Sequence, residues 1–114
     1  MILSVPELVA LAKKSVTCVN ATTAYKNKSA VFIDVREPAE FTSSPVANSI
    51  QIPRGVLEMN IAKHCPDADM EIYLHCASGG RAALAAEQLQ RIGYTNVKAI
   101  SCKHDDVCQA QKNQ

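Results

Sequence analysis

Along this chain, short unbroken apolar runs alternate with stretches whose apolar positions recur every three or four residues. The short runs are "SVTCV" (15–19), "AVFIDV" (30–35), "IQI" (50–52), "EIYLH" (71–75) and "VKAI" (97–100). None contains Gly or Pro, and their length predicts strands, with "AVFIDV" the clearest buried one. The helical stretches fall between them. Pro6 opens the first, with Leu8, Val9, Leu11 and Ala12 as its apolar residues. Asn20 is placed to cap "ATTAYKN" (21–27), and "PAEF" (38–41) reads as one helical turn. In "GVLEMNIAKHC" (55–65), Leu57, Ile61 and Cys65 share a face and Pro66 stops the helix. Arg81 to Ile92 carries Ala85, Leu89 and Ile92 at core spacing, with Gly93 past its end. "SPVANS" (44–49) is a loop, and the tail from Ser101 is polar with some helical character. Strands alternating with helices predict an α/β fold around a parallel sheet.

Composition narrows the function classes. With 114 residues, 47% apolar and 20% charged, the chain predicts one soluble globular domain over 1–114. Twelve basic against 11 acidic residues give a net charge of +1, so nucleic-acid binding by bulk electrostatics is not expected. No run approaches the ~18 apolar residues of a membrane span. The start "MILSVPELVALAKK" lacks a positive leading segment and Glu7 breaks its apolar run, so it predicts a helix rather than a secretory leader. The five cysteines (18, 65, 76, 102, 108) are odd in number and contain no C-x-x-C pair. They predict neither a disulfide framework nor a metal site, and a reducing, cytoplasmic setting.

The chemistry concentrates in "HCASGGR" (75–81). Cys76 ends a buried strand, where open α/β sheets place their ligands. Ala77, Ser78, Gly79 and Gly80 have small side chains or none, so their backbone N–H groups can turn inward as an anion nest. The helix beginning near Arg81 adds its positive dipole end, and Arg81 adds a cation at the rim. Such surroundings favour a thiolate nucleophile for attack on sulfur or phosphorus.

With these residues in view, the chain resembles a single-domain rhodanese, a sulfurtransferase. The resemblance rests on "VFIDVREPAEF" (31–41), "SIQIPRG" (49–55), "YLHCASGGRAALAAEQL" (73–89) and "GYTNV" (93–97). It implies a five-stranded parallel sheet flanked by helices on both faces, with a persulfide carried on Cys76 and no metal or organic cofactor. Arg81 matches the family's loop arginine, and Asp34 and Arg36 match a pair that braces the wall of the site. Against that pattern, residues 1–15 are an extra helix and 101–114 an atypical tail. "SPVANSI" stands where the family has a "GHI-x-GA" segment, and the chain has no tryptophan where the family places one near its end.

On this reading Cys76 takes sulfane sulfur from thiosulfate or a persulfide donor. It passes the sulfur to cyanide or a thiol, with a protein acceptor as a further partner. Two other readings stay open. A Cys-dependent phosphatase or arsenate reductase uses a similar loop spaced H-C-x5-R, but here four residues separate Cys76 from Arg81. A non-catalytic sulfur carrier or partner-binding module would also keep Cys76. His75 is expected to point to the opposite side of its strand from Cys76 and to pack. His64 and Cys65 are read as capping or packing residues at a helix end. Cys102 and Cys108, with His104 between them, match no strong ligand pattern, and the two cysteines are expected to be reduced and dispensable.

Overall fold

A computed structural model describes residues 1–114. Five strands form one sheet in the order β1-β5-β4-β2-β3. They are β1 (Thr17–Val19), β2 (Val31–Asp34), β3 (Ile50–Gln51), β4 (Ile72–His75) and β5 (Val97–Ile100). Every pairing is parallel. All five strands therefore end on the same edge, and the loop after each one opens there.

Six helices cover the two faces. α1 (Val5–Ser15), α4 (Leu57–His64) and α5 (Gly80–Ile92) lie on one face, and α2 (Ala21–Ala24) and α6 (His104–Lys112) pack together on the other. α3 (Pro38–Ser43) stands after β2 at the strand ends. Strand alternation divides the core accordingly. Ile33, Val35, Ile72, Leu74 and Cys76 point to the α5 side, where Ala82, Ala85, Ala86 and Leu89 meet them. Phe32, Tyr73 and Ile100 point to the α2–α6 side. There Tyr25 stacks on Phe32 with ring centroids 4.2 Å apart, and Phe32 stacks on Tyr73 at 5.2 Å. The run of alanines in α5 lets its backbone lie close to β4 and β5. Truncating a fully buried residue such as Leu74 is expected to cost about 2–5 kcal/mol.

Local signals fix most boundaries. Ser4 and Glu7 form a reciprocal capping box at the start of α1. Asn20 Oδ1 accepts from the Thr23 amide at 2.8 Å to start α2. Gly93 ends α5 at φ 128°, in the region that favours glycine.

Three local expectations are corrected. α5 begins at Gly80, one residue earlier than Arg81, because Gly79 at φ 93° supplies the turn into it. Ile92 is half exposed rather than core, while Ala85 and Leu89 are fully buried. In α1 the buried residue is Ala12, with Val9 partly covered against Gly80, while Leu8 and Leu11 face outward.

No helix is long and apolar enough to cross a membrane.

Candidate active site

β4 delivers Cys76 to the strand-end edge, and α5 starts four residues later. The Cys76 side chain is almost wholly buried, with 1% of the residue exposed. Its Sγ accepts two backbone hydrogen bonds, from the Gly79 amide at 3.1 Å and the Ala82 amide at 3.4 Å. The amides of Ala77, Ser78, Gly80 and Arg81 donate to nothing within the protein. These unbonded donors lie in the loop that runs from Cys76 into the N-terminus of α5, a positive cradle beside the sulfur.

Gly79 is the residue that shapes the cradle. Its φ of 93° suits glycine, and a Cβ there would lie 3.0 Å from the Ser101 Cα at the end of β5. The loop is therefore pressed against the next strand's exit. On its other side, the His104 amide at the start of α6 donates to the Ala77 carbonyl at 2.9 Å.

Arg81 does not stand free at the rim. Its guanidinium makes a forked ion pair with Glu40 of α3, Nη1–Oε1 2.6 Å and Nη2–Oε2 2.9 Å. The hydrogen bonds from Arg81 hold the Glu40 carboxyl down at about 2, helped by the Glu37 amide. Glu40 in turn raises the Arg81 pKa. The rim charge is thus matched by an acid that the sequence reading did not single out. The signal was present in "PAEF", where Glu40 is the third residue of a helix, but its partner lies 41 positions away.

Asp34 and Arg36 form a buried ion pair behind this arrangement, at 2.7 Å. They make no hydrogen bond to the 76–81 loop. Arg36 instead donates to the carbonyls of Glu40 at 3.3 Å and Ser44 at 2.7 Å. Gln51 Nε2 donates to the Arg36 carbonyl at 2.7 Å. The chain of contacts runs from Asp34 through Arg36 to α3, and from Glu40 to Arg81.

His75 lies on the opposite face of β4 from Cys76, fully buried, with Nε2 2.8 Å from the Ser49 Oγ. Burial lowers its pKa from 6.5 to about 4, against the pull of the Asp34 carboxylate. Ser49 belongs to "SPVANSI", and Val46 in the same segment is buried in the α2–α6 core. The segment thus fills its wall with different chemistry from the "GHI-x-GA" pattern.

The largest cavity, about 410 Å³, lies between α2 and α6 and is lined by Thr22, Tyr25, Lys26 and Lys28 among others. Cys76 is not part of it. None of the three cavities is lined by residues of the 76–81 loop.

A sequence model of the rhodanese-like domain matches residues 20–102. The chain belongs to the rhodanese-like family. Over 67 residues it is 33% identical to the thiosulfate sulfurtransferase PspE of Escherichia coli, covering 59% of this chain and 64% of that protein. The fold is similar to the solution structure of the polysulfide-sulfur transferase homodimer of Wolinella succinogenes. That match has TM-score 0.72 and 27% identity, covering 90% of this chain and 80% of the other. A protein of unknown function from Rhodopseudomonas palustris, described as a possible tyrosine phosphatase, shares the fold at TM-score 0.80 and 24% identity. That match covers 96% and 92% of the two chains. The chain spans between 58% and 66% of the length of the curated relatives it matches. The five-stranded parallel sheet agrees with the expected fold.

Proposed function

We propose that this rhodanese-like chain is a sulfurtransferase that carries sulfane sulfur as a persulfide on Cys76. The observation that carries the reading is the sulfur's setting. Cys76 Sγ accepts two amide hydrogen bonds at the start of α5, and four further amides around it have no acceptor. A terminal persulfide sulfur is an anion of one atom, and inward amides match it without a metal.

In the first step the Cys76 thiolate attacks the outer sulfur of thiosulfate or of a related persulfide. The donor's S–S bond breaks and sulfite, or a thiolate, leaves with the electron pair. Cys76–S–S⁻ remains in the cradle of residues 77–81. In the second step a thiolate or cyanide attacks the terminal sulfur, and Cys76 leaves as thiolate. The acceptor departs as a persulfide or thiocyanate, and a protein thiol is accommodated by the same chemistry. Asp34 and Arg36 hold α3, and through Glu40 they hold Arg81 at the rim. The odd number of cysteines, with no C-x-x-C pair, is the ground for a reducing, cytoplasmic setting.

The phosphatase reading is weaker on the loop itself. Four residues between Cys76 and Arg81 make the loop one residue shorter than the H-C-x5-R spacing, and Arg81 is already engaged by Glu40. Side-by-side assays on thiosulfate and an aryl phosphate test this choice. Thiocyanate production that disappears in Cys76→Ser supports sulfur transfer. Efficient phosphate hydrolysis without sulfur transfer overturns it.

A further inference from the structure

Outside the cradle, four cysteines remain, and they sit in four different settings. Cys18 is exposed on the edge strand β1. Cys65 is fully buried, and burial pushes its thiol pKa up. Cys102 is partly buried, its sulfur accepting the Ala21 amide at 3.3 Å. Cys108 is the one with a base beside it: its Sγ lies 3.2 Å from His104 Nε2, one turn back on α6.

The histidine is held in place from two directions. The same Nε2 lies 2.9 Å from the Ser44 Oγ, across from α6. The His104 backbone amide donates to the Ala77 carbonyl, so the first residue of α6 cannot drift from the 76–81 loop. Its other ring nitrogen, Nδ1, is buried with no partner. No bond at Nδ1 therefore selects the tautomer, and Nε2, shared between Ser44 Oγ and Cys108 Sγ, accepts from the thiol in one tautomer and donates to the thiolate in the other. Cys108 itself is only partly buried, so a small reagent can reach it.

We propose that Cys108 is a second reactive thiol, positioned by His104 to form mixed disulfides with small disulfide molecules. In the exchange, the Cys108 sulfur bonds to one sulfur of the disulfide as its proton passes to His104 Nε2. The incoming S–S bond breaks, and the other half leaves as a thiolate that collects the proton. One disulfide is consumed and one is formed, so no separate oxidant is needed. The site is independent of sulfur transfer at Cys76.

The test uses the full-length Cys76→Ser protein, which removes the cradle thiol from competition. It is exposed to bis-hydroxyethyl disulfide, an uncharged probe, and adducts are mapped by peptide mass spectrometry over time. Cys108 is expected to react at least about 100-fold faster than the more exposed Cys18, the lower end of what a positioned base contributes. His104→Gln, which keeps a polar group facing Ser44, should bring Cys108 down to the Cys18 rate and leave Cys18 unchanged. Equal or faster labelling of Cys18 in the parent overturns the proposal, and that comparison needs no further variant to fold. An unchanged Cys108 rate in a folded His104→Gln protein overturns it as well. Because Cys76 is absent throughout, these outcomes leave the sulfurtransferase reading to its own assay.

Discussion

Arg81 and Glu40 lie 41 positions apart, yet their side chains form a forked ion pair with contacts of 2.6 and 2.9 Å. One residue stands in the first turn of the helix behind Cys76, and the other stands in a helix held by the buried Asp34–Arg36 pair. The positive charge at the rim is therefore fixed in position and partly neutralised. On the proposed function, its contribution is expected to go to an arriving anion more than to the sulfur, which the Gly79 and Ala82 amides already hold.

Arg81→Ala should accordingly lower kcat/KM for thiosulfate by about tenfold or more, the worth of one charge-assisted hydrogen bond. Alkylation of Cys76 by uncharged iodoacetamide should change far less. Parallel measurement of both rates checks this, and equal losses would mean that Arg81 tunes the thiol itself.

Gly79→Ala should damage the cradle directly. The alanine would have to hold φ 93° with its Cβ 3.0 Å from the Ser101 Cα, so the loop must shift. A displacement of about 1 Å is enough to cost about 100-fold in turnover. Thermal unfolding and thiosulfate kinetics on the same sample separate a lost cradle from a lost fold.

The buried pair behind α3 predicts a stability effect. Asp34→Ala leaves the Arg36 guanidinium buried without its counter-charge, which is expected to cost about 3–5 kcal/mol. Denaturant unfolding reads this loss. A change below about 1 kcal/mol would show that Arg36 finds another partner.

His75 predicts a pH dependence of stability. Above pH 6.5 it is neutral in both folded and unfolded chains, and its full contribution is present. Between 6.5 and about 4 only the unfolded chain takes up the proton, so stability falls as pH falls. Below about 4 both states bind it and the loss is complete, at roughly 3 kcal/mol. His75→Gln should flatten this part of the stability–pH curve. An unchanged slope in the variant would assign the titration to other groups.

Much of the architecture was legible because it is written locally. Strands buried on both faces need apolar runs, so "AVFIDV" and "EIYLH" announced themselves. The nucleophile loop combined a strand end, small residues and a helix start in seven consecutive positions. What escaped the sequence was pairing across distance. Nothing in "PAEF" says that Glu40 meets Arg81, and nothing in the tail says that His104 ties α6 to Ala77. Periodicity also misjudged which side of a helix would be covered. Leu8, Leu11 and Ile92 have the right spacing for a core, but all three are exposed, and Ala12 and Leu89 are covered instead.

The central claim is that Cys76 holds a persulfide in its amide cradle, and intact-protein mass spectrometry after mixing with thiosulfate tests it most directly. The account predicts a gain of one sulfur atom, mapped to Cys76, removed by cyanide with release of thiocyanate and absent in Cys76→Ser. No gain, or an added sulfur mapped to another cysteine while Cys76 stays unmodified, would contradict it.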